Sequence, residues 1–199
     1  MKQKKVSERN EFILSISATI RGRRSIRRFN DRIVPTDVIL GILNDAIWAP
    51  NHGLREPWRF IYVEKPEAKE KMADLMFEAG SHLKRLKLLP EKLKQVMKRK
   101  IVQIPANLIV VMKLDSNAHK QEEDFAAVCC LMQNIQLLGW EQGLGMIWSS
   151  MEFIYSPIFY EGMGVKSGER VVGILHMGYF DKTPKPGTRT PADKKLTIM

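Results

Sequence analysis

Cysteine is scarce in this chain. The 199 residues include two, Cys129 and Cys130, and sequence neighbours cannot adopt ordinary disulfide geometry with each other, so no bridge framework is expected. A reducing, cytoplasmic setting fits. Apolar runs of about 20 residues, the length a bilayer requires, are missing. The N-terminal MKQKKVSERNEF carries positive charge with no apolar core or small-residue cleavage site behind it. Neither export nor membrane insertion is expected. Histidine is thin and dispersed: His52, His82, His119 and His176 form no pair at metal-ligand spacing, with each other or with cysteine, and no metal site is expected. The serines occupy no nucleophile elbow. The glycines of GWEQGLGM make neither a GxGxxG turn between strand and helix nor a P-loop, which excludes the usual nucleotide folds. Acidic residues are in deficit, 22 Asp plus Glu against 32 Lys plus Arg, for a formal charge of +10. Such a field concentrates polyanions without identifying one.

What the chain does have is 44% apolar and 27% charged residues over a length that suits one domain with a substantial core. Residues 1–199 are read as that domain, with 1–10 flexible and no internal repeat. Phe12, Ile13, Ile16 and Ile20 share a helical stripe in residues 10–22, with Asn10 as a cap and Gly22 near the stop. A second helix runs from Pro35 to Ala46, and Pro50 closes the segment that follows it. WRFIYVE, residues 58–64, reads as a strand and residues 67–79 as a helix. In residues 84–100, Leu86, Leu89, Leu93, Val96 and Met97 recur at helical intervals beneath many lysines, the pattern of a helix with a solvated basic face. NLIVVMKL, residues 107–114, is a central strand, and residues 122–142 make a long helix across the core. MIWSS is a short strand or turn, residues 152–163 a helix interrupted by Pro157, and residues 170–180 a second core strand. The tail from Asp181 has too little apolar content to fold on itself. The order of elements describes an α+β layered domain.

The feature needing explanation is RGRRSIRRFND, where five arginines crowd between positions 21 and 28. If the chain is extended here, Arg23, Ser25 and Arg27 share one side while Arg24, Ile26 and Arg28 share the other. Guanidinium forks beside a hydroxyl suit the oxygens of a phosphate monoester, and Lys185-Pro-Gly-Thr-Arg189 offers a second basic cluster to close around it. A solvated charged face and a nucleic-acid patch account for the same residues at this level. His52 stands apart from the other histidines because Pro50, Asn51 and Gly53 place it in a loop, where side chains tend to face clefts.

RRSIRRF, a following V-P, a helix ending AIWAPNHGLREPWRFIYVE, and later GLGMIWSS and VVGILHMGYF resemble, in order and over nearly the whole chain, the nitroreductase family of flavin mononucleotide (FMN) enzymes. The match is to its small single-domain branch. That resemblance implies a mixed, mostly antiparallel sheet flanked by helices, and a homodimer with FMN at the subunit interface. It also implies a domain-exchanged tail, 181–199, wrapping the partner. NAD(P)H serves such enzymes as co-substrate, and nitroaromatics, quinones or similar acceptors are reduced by a ping-pong route. By the same resemblance Arg23, Arg24 and Ser25 bind the FMN phosphate and ribityl end, and Arg27 lies at the pyrimidine edge of the ring. Trp48 and His52 reach the partner's flavin, Trp148, Ser149 and Ser150 lie behind the ring, and Lys185 and Arg189 contact the phosphate.

Hydride arriving at flavin N5 builds negative charge at the N1/C2 carbonyl edge, which a guanidinium stabilises; Arg27 is the candidate. No catalytic acid or base is required. Glu56 departs from the Asn or Gln common before Pro-Trp: it either pairs with an arginine and faces away, or tunes acceptor choice. Two other readings stand beside this one. One is a flavoprotein of the same fold doing dehalogenation or flavin fragmentation. The other is a non-catalytic nucleic-acid-binding protein, disfavoured because aromatics are not interleaved with the lysines of residues 84–100.

Overall fold

The hydrophobic runs assemble into an antiparallel sheet, and the helices cover it from both sides. The computed structural model describes residues 15–81 and 83–199; the expected helix start at Asn10, the flexible 1–10 segment and His82 lie outside them. Strands β1 (Trp58–Val63), β2 (Ala106–Lys113), β3 (Leu144–Ser149) and β4 (Glu169–Tyr179) lie in the order β1-β2-β4-β3, each pair antiparallel. The parallel element of the expected mixed sheet is a single bridge, Ser25 to Met146 of β3. Strand β2 is central and buried from Ala106 to Met112, which is why its sequence reads as continuous rather than alternating.

Alternation still sorts its side chains to two faces. Leu108, Val110 and Met112 join Leu175 and Met177 under helices α2 (Thr36–Ala46) and α6 (Ala118–Glu141). Ile109 and Val111 join Val63, Val171 and Ile174 on the opposite face, against Met72 and Met76 of α3 (Pro66–Ala79) and Phe159 of α7 (Pro157–Met163). Helix α6 buries Val128, Leu131, Met132 and Ile135, one stripe at i, i+3, i+4 and i+7. Its 24 residues give a rod of about 36 Å, capped at the start by the Asn117 side chain, which accepts from the His119 and Lys120 amides. Trp140, in its last turn, stacks on Phe180 with ring centroids 5.3 Å apart and lies against Gly22 at the end of helix α1 (Ile16–Gly22).

One expectation needs correction. The basic segment is not one helix: Pro90 separates α4 (Lys84–Lys87) from α5 (Glu91–Val102), since proline lacks the amide hydrogen a continuing helix needs. Helix α5 rests on α3, yet Leu93, Val96 and Met97 keep 43%, 40% and 37% exposure, so the apolar stripe is only partly covered. The start of the tail lies against its own chain: residues 181–189 share cleft walls with residues 20–29. Among the described residues no helix is long and apolar enough to cross a membrane, and no cluster of three His, Cys, Asp or Glu side chains could hold a metal ion.

One polar pair is sealed into the layer between sheet and helices. His176 of β4 and Asn107 of β2 are cross-strand partners, with His176 Nδ1 2.6 Å from Asn107 Oδ1. Burial pushes the His176 pKa down to about 4, so the ring is neutral in the fold while an unfolded chain takes up the proton near 6.5. The stability this contributes is complete above pH ~6.5 and disappears as pH falls toward 4, a loss on the order of 3 kcal/mol. Urea unfolding measured between pH 7 and pH 4.5 should show this fall, and His176→Gln should flatten it; an unchanged slope in the variant would refute the assignment to His176.

Candidate functional site

The arginine run is fixed in space by the one apolar residue inside it. Ile26 is buried at 1% exposure, and it fits because position 145 is glycine. A Cβ there would stand 2.5 Å from Ile26 Cγ1 and 2.6 Å from Phe180 Cδ1. The Ile26 amide donates to the Met146 carbonyl (3.0 Å) and the Asn30 amide to the Tyr179 carbonyl (2.8 Å), stapling the segment on either side of Arg27 and Arg28. Asn30 Nδ2 donates to Asp181 Oδ1 (3.0 Å) and the Arg32 guanidinium covers the Tyr179 ring at 3.8 Å. The start of the tail is thereby held beside the arginines.

Arg23, Ser25 and Arg27 line one open cleft of about 710 Å³, with Arg24, Gly187 and Arg189 completing its wall. Arg23, Ser25 and Arg27 share a side as an extended chain would have them, but Arg24, expected on the opposite side, lines the same cleft. Arg24 folds back, its Nη1 donating to the carbonyls of Arg21 (2.6 Å) and Arg23 (2.7 Å), where a cation suits the end of α1. Burial, and then the neighbouring charges of Arg24 and Arg189, hold the Arg23 guanidinium below its usual pKa. Arg23 Nη1 and Arg24 Nε are buried with no hydrogen-bond partner. Buried donors are normally satisfied, and crowded cations favour an anion among them; a phosphate group supplies acceptor oxygens and charge together. The donor set therefore fits the phosphate of a mononucleotide. Along an extended chain, Arg23 to Arg27 spans about 13 Å. The parallel bridge at Ser25 makes this segment run in the same direction as β3, which leads to Trp148 and Ser149.

A second constellation surrounds the loop after α2. Gly53, Leu54 and Glu56 have φ of 61°, 50° and 43°, an uncommon backbone for the latter two that persists only where its surroundings hold it. Two contacts do so. Asn51 Oδ1 accepts from the Glu56 amide (3.0 Å), and Arg55 bonds Glu123 Oε2 (2.9 Å) and Asp124 Oδ1 (2.8 Å) on α6. Glu123 also lies 3.4 Å from His52 Nδ1 and 3.6 Å from His119 Nε2. Its carboxylate is held below the usual range, chiefly by the Arg55 hydrogen bond. Trp48 is 87% exposed. Glu56 forms no ion pair among the described residues, and the adjacent Arg55 is taken by Glu123 and Asp124.

Helix α6 separates the two constellations. The His52 loop is latched at Glu123 and Arg23 follows Gly22, which touches Trp140; the separation of 17 positions corresponds to about 25 Å of helix axis. Within one chain His52 and Arg23 do not share a site. Trp148 is half-buried, lying across Gly173 with no room for a side chain there. Ser149 pairs with Ile174 at the end of β3 and Ser150 is exposed beyond it. Lys185 is exposed and does not line the arginine cleft, whereas Arg189 does. Sequence reasoning missed the Arg55–Glu123–Asp124 latch, for which the acidic run at 122–124 was the available signal.

An antiparallel sheet clad by helices on both faces, with a basic cleft at its β3 edge, defines an α+β protein. The chain belongs to the nitroreductase family, whose sequence profile matches residues 20–179. It is 41% identical over 180 residues to YfhC of Bacillus subtilis (strain 168), provisionally named an NAD(P)H nitroreductase, covering 90% of this chain and 92% of that protein. The crystal structure of a nitroreductase-like family protein from Bacillus cereus superposes with a TM-score of 0.86 at 40% identity, over 94% of this chain and 97% of that one. An iodotyrosine deiodinase bound to FMN and 3-iodo-L-tyrosine shares the fold at TM-score 0.68 and 21% identity, over 92% and 97% of the two chains.

The packing of Ile26 against Gly145 carries a testable consequence. Gly145→Ala should displace Ile26, cost about 1–3 kcal/mol of stability through overpacking, and weaken phosphate-dependent binding at Arg23. Chemical denaturation and ligand titration of the variant read both effects, and a variant unchanged in both would show that Ile26 does not position the arginines.

Proposed function

We propose that this protein is an FMN-dependent NAD(P)H oxidoreductase that reduces nitroaromatics, quinones or similar electron-poor acceptors by a ping-pong route, as a homodimer. The observation that carries the reading is the set of buried guanidinium donors left without a partner at Arg23 and Arg24, facing Arg189 across a cleft of mononucleotide size. The names of its nitroreductase-family relatives support the choice of electron donor. FMN, when bound, supplies hydride transfer through its N5 atom.

The chain's own residues hold and orient. Arg23, Arg24 and Arg189 neutralise and grip the phosphate, and the Ser25 hydroxyl donates to the phosphate or ribityl oxygens. Arg27 sets a fixed positive charge at the pyrimidine edge, where electron density accumulates on reduction. Trp148, Ser149 and Ser150 support the ring from the β3 side. Trp48 and His52 come from the second subunit, because α6 keeps them too far from Arg23 within one chain; they cover the ring and narrow the space left for donor and acceptor. Lys185 contributes only to the field around the phosphate. One domain spans residues 1–199, and its tail beyond Arg189 lies on the partner. The exposure of Leu196 and Ile198, 67% and 86%, supports that placement, since in the single chain these apolar side chains cover nothing.

The purified protein should be yellow or take up FMN, bleach with NADH or NADPH without oxygen, and recover its colour with a nitroaromatic or quinone. A colourless protein that refuses FMN would sink the reading; one that bleaches but transfers to neither acceptor class would point to dehalogenation or another flavin chemistry on the same fold. Arg23→Ala should weaken FMN binding at least about tenfold with little change in Tm, as fluorescence titration and thermal unfolding would show. Truncation before Leu196 should weaken the dimer in sedimentation analysis; an equally stable truncated dimer would refute the role of the tail.

A further inference from the structure

Beside the mononucleotide cleft lies a second one that the flavin reading leaves unused. It has a volume of about 460 Å³ and is bounded by Arg27, Arg28 and Phe29 on one side and by Asp181, Lys182 and Pro184 on the other. Ser25, Arg27 and Pro184 belong to both clefts, so the two adjoin along a single extended segment. The charge in it is lopsided. Arg28 and Lys182 form no ion pair among the described residues, and the one carboxylate, Asp181, accepts a bond from Asn30 Nδ2. The next cation, Arg32, is committed to the Tyr179 ring.

The walls are also fixed. The Asn30 amide bond to Tyr179, the Asn30–Asp181 bond and the Arg32–Tyr179 stack clamp the start of the tail to the end of the arginine run. Arg28 and Lys182 are thereby carried on two strands of chain tied together at their base. A guanidinium fork and an ammonium facing one space suit a phosphate monoester, the fork taking two oxygens and the ammonium a third.

We propose that the Arg28–Lys182 cleft binds the 2′-phosphate of NADPH and so makes this protein select NADPH over NADH. The inference rests on the oxidoreductase reading, which brings a nicotinamide dinucleotide to the site and leaves open which one. The two donors differ by one phosphate monoester on the adenosine ribose. A discriminating site must therefore lie outside the flavin-phosphate cleft and still be continuous with it, and Arg27 supplies that continuity as a wall common to both.

The test compares donors and probes. With wild-type holoprotein and a quinone acceptor, kcat/KM should favour NADPH over NADH by about tenfold or more. Arg28→Ala and Lys182→Ala should each lower the NADPH value at least about fivefold, change the NADH value less than about twofold, and leave the flavin content by absorbance as in wild type. Adenosine 2′,5′-bisphosphate should bind wild-type protein in calorimetry and compete with NADPH, while adenosine 5′-monophosphate at the same concentration should not. Equal use of the two donors would overturn the proposal. So would equal losses with both donors in Arg28→Ala, which would put the pyrophosphate common to both in this cleft. Calorimetry needs no turnover, which separates the two readings: a protein that binds the bisphosphate but no FMN refutes the oxidoreductase reading, and an active flavoenzyme that ignores the bisphosphate refutes this one.

Discussion

The arrangement of this protein's basic edge depends on one apolar contact holding several repelling charges in place. Arg23, Arg24 and Arg189 converge, and the depressed Arg23 pKa registers their mutual repulsion behind the larger effect of burial. What opposes this is the seating of Ile26 in the notch left by Gly145, roughly 1.5–3 kcal/mol of hydrophobic stabilisation reinforced by the backbone bond to Met146. The repulsion is softened because the side chains are only partly buried and water screens them. A core residue therefore fixes the geometry of groups that would otherwise spread apart, and the donors left without acceptors are the mark of that constraint.

Helix α6 imposes the second constraint. Its buried stripe is needed to cover one sheet face, which fixes its direction. Its length then places the Glu123 latch and the Trp140 corner far apart. The positive-φ loop at 53–56 belongs to the first end and the arginine segment to the second. Each end is held by polar contacts peculiar to it, Arg55 with two carboxylates at one and the Asn30–Asp181 clamp at the other.

Much of this was legible in the sequence, and the parts that were not share a cause. Strand β2 and the buried stripe of α6 announce themselves because burial leaves a local periodic signature. That Arg23, Ser25 and Arg27 line one cleft was likewise visible, since it follows from an extended backbone; that Arg24 joins them was not, because its side chain folds back on the Arg21 and Arg23 carbonyls. The pairing of His176 with Asn107 was hidden, because it depends on a cross-strand register between residues 69 positions apart. The same holds for Ile26 against Gly145 and for Arg55 with Glu123, where neither partner carries a signal by itself. Lys182 carried no signal by itself, because the clamp at Asp181 is what brings it into a cleft. Pro90 was a visible break in the basic segment and outweighs the apolar spacing around it.

The length of α6 also sets how the proposed chemistry responds to dilution. If the two halves of a catalytic pocket sat on one chain, the rate would follow chain concentration linearly down to any level. On the proposed reading each chain carries the phosphate end of one pocket and the covering loop of another. On the proposed reading, a dispersed chain is folded and inert, and below the association threshold turnover becomes second order in protein. Cellular abundance would then act on this protein as a switch, with the helix that fills its core setting the stoichiometry.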